Sequence, residues 1–231
     1  IGNIPFSHVV YLLLKEELPT KEQGKMIDAI LTACIDHGVT PPSSMASRIV
    51  ASGEVPLPTA VAAGILSIGD SHGGAIEKGA KFLQDGIKRM EDEKLNIKRT
   101  AETLVSESRE KKRRILGFGH RVHTSDPRTK KLFKLCDELN ISGNHIALSK
   151  KIEKELEKNI GKKLPINVDG AIAAIISDMN FDWRLGKAFF LLGRVAGLTA
   201  HVYEEQTEFK PMRKIFDTDV KYDGEKEKDI P

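Results

Sequence analysis

The run Gly117-Phe118-Gly119-His120-Arg121-Val122, followed by Asp126-Pro127-Arg128, brings three chemical capabilities within twelve residues. Glycines on either side of Phe118 let backbone amides come close to a ligand. His120 can move a proton near neutral pH. Arg128, just past an Asp-Pro turn, can grip a carboxylate with paired N–H donors. A loop, an acid–base group and an anion clamp this close together predict a site for a carboxylate substrate.

Three further positions could act with them. His37 closes a helix in Asp36-His37-Gly38, ahead of a proline turn. His72 sits in Ser71-His72-Gly73-Gly74 directly before a helix, where free amides favour an anion or a polarised carbonyl oxygen. Asp169 is a carboxylate at the start of a very apolar helix, and its plainest role there is an N-cap. His8, His145 and His201 lie inside helices and are expected to be structural. An aspartate can take a proton from carbon beside a thioester, while a neutral histidine donates to the developing enolate oxygen. A second histidine can serve the oxygen of the electrophile, and arginines can hold carboxylates. That set performs a Claisen-type condensation or its reverse. No His or Cys pair has zinc spacing, so no metal is expected.

The elements that must position these groups read as helical nearly throughout, and an all-α fold is predicted. Thr20 is expected to cap a helix carrying Met26, Ile27, Ile30, Leu31 and Cys34 at helical spacing up to His37-Gly38. Ser43 or Ser44 should cap the next, and Thr59 the one over Ala60 to Ile68. The small residues Ala60, Ala62, Ala63 and Gly64 invite close packing, either inside the subunit or across a dimer. Asn96 should cap a helix ending near Lys112, and others are expected over about 128–139 and 145–160. Ala171 to Met179 and Ala188 to Val202 are apolar nearly all round and read as buried. No run alternates long enough for a strand, and the tail from Lys221 onward is expected to be poorly ordered.

A chain of 231 residues can bury a sizeable core as one large domain or two modest ones. Its net charge of +3 comes from interleaved signs, which argues against the single-sign field of a nucleic-acid binder. The run Lys111 to Arg114 reads as a solvated helix end, with phosphate binding beside the glycine loop as the alternative. Cys34 and Cys136 have no spacing partner, which fits a reduced, cytoplasmic setting. Neither a membrane span nor a signal peptide is expected.

Six motifs in order resemble the citrate synthase superfamily. They are Tyr11-Leu12-Leu13-Leu14 with Glu17-Leu18-Pro19, Asp36-His37-Gly38, His72-Gly73-Gly74-Ala75, Gly117 to Val122 with Asp126-Pro127-Arg128, Asn167-Val168-Asp169, and Gly193-Arg194 with Gly197 and Ala200-His201. The resemblance implies that His72 stabilises a thioester enolate, Asp169 is the carbon base and His120 serves the oxaloacetate carbonyl oxygen. It assigns His37, Arg128 and Arg194 to the substrate acid, with Arg213 as the arginine a partner subunit supplies. Gly117, Phe118 and Gly119 would take up coenzyme A, with Arg121 and Lys163 near its phosphates. Coenzyme A would come and go as a thioester substrate or product, with no cofactor bound permanently.

The implied architecture is a homodimer or higher homo-oligomer. Residues 1–73 and 181–231 would form a large helical domain, and 74–180 an inserted small one. Gly69-Asp70 before His72 and Gly170 after Asp169 depart from ordinary citrate synthases, as does a one-residue shorter gap between His120 and Arg128. Gly69-Asp70, Asp36-His37-Gly38, His120-Arg121-Val122 and Asn167 to Gly170 look more like citryl-CoA lyases and the citryl-CoA-cleaving module of ATP-citrate lyase, although that module lacks a counterpart of His72. The expected activity is therefore cleavage, or formation, of citryl-CoA from acetyl-CoA and oxaloacetate. A citrate or 2-methylcitrate synthase is the alternative, and a non-catalytic binding subunit a third reading.

Overall fold

The computed structural model describes residues 1–119 and 126–213. Among them the chain forms ten α-helices and no sheet. In order they are α1 (Phe6–Lys15), α2 (Lys21–Cys34), α3 (Pro42–Ala51), α4 (Leu57–Leu66), α5 (Ala75–Asp92), α6 (Ile97–Glu110), α7 (Pro127–Glu138), α8 (Asn144–Ile160), α9 (Val168–Asp178) and α10 (Gly186–Glu208). The all-helical expectation holds. No helix among the described residues is long and apolar enough to cross a membrane.

Local signals set most helix starts. Thr20 accepts from the Gln23 N–H and the Gln23 side chain answers the Thr20 N–H, a full capping box. Asn96 caps α6 through the Arg99 N–H. Two expected caps are displaced. The residue before α3 is Pro41, with Pro42 as its first residue, so Ser43 and Ser44 lie inside the helix. The residue before α4 is Pro56, with Leu57 first, so Thr59 is inside as well. Proline's fixed φ suits a first turn and lacks an N–H needing a partner, so here it starts the helix earlier than a hydroxyl cap would. The helix read as opening at Ala171 begins at Val168 and is capped by Asn167, which takes from Asp169 its plainest role.

The main apolar core runs through α1, α2 and α5 to α10, and α9 is its axis. Every residue of α9 except Asp169 and Asp178 is buried. Asp178, at its far end, accepts from the N–H groups of Gly143, His145 and Ile146 at 2.8–3.0 Å. It also meets His145 Nδ1 at 2.9 Å. These bonds satisfy the first orphan amides of α8 and anchor it to α9. His145 is thus structural, as expected. A smaller cluster of Ala51, Ala60, Val61, Leu198 and Val202 joins α3, α4 and the end of α10. Ala60 and Gly64 face this interior, while Ala62 is exposed and Ala63 half-buried.

The end of α2 lies almost on the backbone of α10. A methyl group at Gly193 would come within 2.6 Å of the Leu31 carbonyl oxygen, and one at Gly197 would overlap that of Ile35. Gly197→Ala should therefore lower stability by about 1–3 kcal/mol, although alanine favours an isolated helix by about 1 kcal/mol. Urea unfolding measures this, and an unchanged or higher midpoint would refute the close approach.

Candidate active site

The close contact of α2 with α10 fixes Arg194. Arg194 is only 3% exposed. Its Nε donates to the Cys34 carbonyl at 3.0 Å, satisfying one orphan acceptor in the last turn of α2. Its guanidinium stacks on Phe190 at 4.7 Å. Nη1 is buried with no hydrogen-bond partner among the described residues. A buried unpaired cationic donor is costly, and an anionic ligand would satisfy it. Two turns on, His201 Nε2 meets Asp36 Oδ1 at 2.8 Å, while Asp36 Oδ2 accepts from the Gly38 N–H at 3.0 Å. Gly193, Arg194, Gly197 and His201 all grip the end of α2 and thereby seat the exposed His37.

His72 approaches from the turn before α5. Gly73 takes a φ of +86°, open to glycine with little strain, and this closes the turn. The His72 ring meets Phe190 edge-on at 5.5 Å, so Phe190 carries both His72 and Arg194. Its Nε2 faces the first turn of α3, 2.8 Å from Ser43 Oγ and 3.4 Å from the Ser43 N–H. An amide can only donate, so the tautomer that satisfies both contacts has a bare Nε2 and its proton on Nδ1. Burial holds the His72 pKa below its ordinary value, with Arg194 and His37 pushing the same way. His72 is therefore a neutral donor at pH 7, in the manner of an electrophilic histidine at a helix N-terminus.

Asp169 occupies the second position of α9. Burial raises its pKa above the ordinary carboxylate range; Arg128 and Arg194 pull back, and Asp126 adds to the rise. The sequence marked Asp126 only as part of a turn, yet its side chain is 1% exposed and organises this corner. It accepts from the Arg128 N–H at 2.9 Å, from Arg128 Nε at 3.3 Å and Nη2 at 3.1 Å, and from the Val168 N–H at 3.1 Å. Burial works against its charge, but these donors hold its pKa below the usual value. Asp126 and Asp169 are thus carboxylates pushed in opposite directions.

The glycine loop lies against the same helix start. Gly117 and Gly119 both take a φ of +89°, and between them Phe118 pairs antiparallel with Ile166. The Gly119 N–H donates to the Pro165 carbonyl at 2.7 Å, and the Asn167 N–H to that of Gly117 at 3.0 Å. Beside Phe118 is a pocket of about 110 Å³ lined by Val105, Ile115, Leu156, Ile160 and Leu164, with Arg109, Arg113 and Arg114 among its walls. The end of the basic run therefore borders an apolar slot beside the loop. Lys163 is exposed two residues before Pro165.

Arg194 and His37 lie close enough to act on His72, and Arg128 and Arg194 to act on Asp169. His120 and Arg121 lie outside the described residues. Arg213 sits apart: with Arg48 it is paired to the buried Glu205, through Nε and Nη2 at 2.6 Å, and it stacks on Phe209 at 3.9 Å. Within this chain Arg48 and Arg213 together neutralise the buried Glu205 carboxylate. Among the described residues, no three His, Cys, Asp or Glu side chains form a group able to hold a metal.

The fold is all-helical, and the described site brings arginines to act on a buried carboxylate and a neutral histidine. The pattern described as "Citrate synthase, C-terminal domain" matches residues 6–215, and the chain belongs to the citrate synthase family. The chain is 46% identical to citryl-CoA lyase from Hydrogenobacter thermophilus, with a TM-score of 0.91, covering all of this chain and 88% of that one. It is 30% identical over 226 residues to citrate synthase 2 of Bacillus subtilis (strain 168), covering 96% of this chain and 57% of that protein. ATP citrate lyase from Methanothrix soehngenii, solved with citrate and coenzyme A, shares the fold at 22% identity and a TM-score of 0.83, over 98% of this chain and 38% of that one. The chain spans about half the length of the curated relatives it matches.

The depressed pKa of His72 sets a pH dependence. The unfolded chain takes up a proton at His72 near pH 6.5 while the folded one resists it, so stability falls as pH drops below about 6.5. His72→Asn should flatten that fall. Urea midpoints at pH 7 and pH 5 check it, and an unaltered difference between the two pH values would contradict a buried neutral His72.

Proposed function

We propose that this protein cleaves citryl-CoA to acetyl-CoA and oxaloacetate, and catalyses the reverse addition. The observation that carries the reading is that Asp169, whose pKa burial raises, and a neutral His72 set against the first turn of α3 both have arginines suited to carboxylates acting on them.

In the cleavage direction, Arg128 and the unpaired Nη1 of Arg194 would hold carboxylates of the citryl group, with His37 at their margin. His120, in the role the family resemblance gives it, accepts the proton of the tertiary hydroxyl. The electron pair of that O–H bond forms the ketone of oxaloacetate. The carbon–carbon bond breaks, and its electrons pass into the acetyl-CoA enolate. The His72 Nδ1–H donates to the enolate oxygen, and Asp169 delivers its proton to carbon. Burial keeps Asp169 protonated at higher pH than an ordinary carboxylate, which suits that delivery. Coenzyme A is a substrate in this scheme, its chain running along Gly117 to Gly119. The slot beside Phe118 would receive its adenine, with Arg113, Arg114, Arg121 and Lys163 near its phosphates.

The similarity to citrate synthase 2 favours one rival, a synthase that also hydrolyses the thioester. In both readings the protein works as a homodimer, residues 74–180 close over the substrate, and Arg213 or Lys210 reaches a neighbouring subunit.

Separate incubations with citryl-CoA and with acetyl-CoA plus oxaloacetate test the proposal. Citryl-CoA should yield acetyl-CoA and oxaloacetate. Stoichiometric free coenzyme A and citrate from the second mixture would establish the synthase instead. Asp169→Asn should lower kcat by roughly 10²–10⁴-fold in either direction, with thermal stability retained, because the amide is close in size to the carboxyl group and carries no charge into the buried position. Full activity in that variant would end the assignment of Asp169.

A further inference from the structure

Asn167 was legible as part of a motif with no role of its own, yet its bonds reach two sides of the site. Its Oδ1 accepts from the Gly170 N–H at 3.1 Å and caps α9, the helix that carries Asp169. Its Nδ2 donates to the Gly119 carbonyl at 2.9 Å, and its own N–H donates to the Gly117 carbonyl at 3.0 Å. One residue therefore holds both glycine carbonyls of the loop and the first turn of the helix. The Gly119 carbonyl belongs to the peptide bond that joins Gly119 to His120.

Gly170 makes this junction possible from the helix side. Any side chain there would overlap the Gly117 carbonyl oxygen, and the backbone around Gly117 lies just as close in return, within 2.7 Å of the Gly170 Cα for a methyl built on Gly117. The loop thus rests directly on the backbone of α9, one residue past Asp169. On the other flank of that residue, the Val168 N–H is held by Asp126, which also fixes Arg128. Asp169 sits between two tethers, one leading to the loop and one to the arginine.

We infer that Asn167 is a positioning residue that couples the Gly117 to Gly119 loop to Asp169, so that the loop's position sets the placement and proton affinity of the carboxylate. The inference rests on the functional reading above. A ligand that settles the loop then favours one protonation state of Asp169, and the protonation of Asp169 changes affinity for that ligand by the same factor.

Asn167→Ser separates coupling from folding. Serine caps a helix about as well as asparagine, so α9 keeps its cap, but serine is too short to hold the cap and also reach the Gly119 carbonyl. Three quantities are measured on wild type and variant: the thermal midpoint, amide hydrogen exchange of residues 115–119 against 171–178, and the pH profile of kcat with KM for citryl-CoA. The expected result is a nearly unchanged midpoint, faster exchange confined to 115–119, kcat lower by about tenfold, and a displaced acid limb. Gly170→Ala should reproduce the kinetic pattern from the other side.

Unchanged exchange at 115–119 in Asn167→Ser overturns the bridge, whatever the enzyme's activity. Faster exchange with an unshifted acid limb and unchanged kcat overturns the coupling to Asp169. Wild type inactive on both citryl-CoA and acetyl-CoA plus oxaloacetate defeats the functional reading, and with it the catalytic part of this inference. The exchange measurement still decides the bridge in that case.

Discussion

The site depends on one unfavourable arrangement, the carboxyl group of Asp169 withdrawn from water at the start of the most buried helix of the fold. Desolvation by itself would keep that group neutral. Arg128 and Arg194 restrain the effect without cancelling it, so the carboxyl group holds its proton more tightly than an ordinary aspartate does. Each arginine is in turn fixed by something else. Asp126 grips Arg128, and the end of α2 together with the face of Phe190 grips Arg194. The apolar interior of α9, its cap, the α2–α10 contact and the proline-started α3 all serve to hold a few polar groups at one place.

His72 follows the same logic with the opposite sign. Its neutrality comes from burial and from the cationic neighbours around it, and the first turn of α3 selects which ring nitrogen keeps the proton. The same arginine that favours ionised Asp169 disfavours ionised His72. A single guanidinium therefore acts on both groups, opposing the burial that raises the Asp169 pKa and adding to the burial that lowers that of His72.

Much of this was readable in the sequence, for a physical reason. Helix periodicity and the glycine positions are local properties, so the all-helical fold, the loop at Gly117 to Gly119 and the turn at His72 could be placed without coordinates. The convergence of His37, His72, Arg128, Asp169 and Arg194 came from motif order, which residue spacing alone does not supply. Residues that act through long-range backbone contacts escaped notice. Ser43 looked like a cap, and nothing local shows that its amide would face an imidazole 29 positions away. Asn167 stood only as part of a motif and Asp126 as part of a turn, because their partners include carbonyl and amide groups that every residue carries. His201 read as structural, and its bond to Asp36 gives that role a location next to His37. Arg213 was read as the arginine offered to a partner subunit, and its pairing with the buried Glu205 was not legible because the two are joined by side chains eight residues apart.

The central claim is the raised proton affinity of Asp169, and a carboxyl-carbon NMR titration of the ligand-free protein tests it most directly. The Asp169 resonance is assigned by its absence in Asp169→Asn. The account predicts a titration midpoint above the ordinary aspartate value of about 3.9, while Asp126 titrates below it. A midpoint for Asp169 at or below that value would contradict the account.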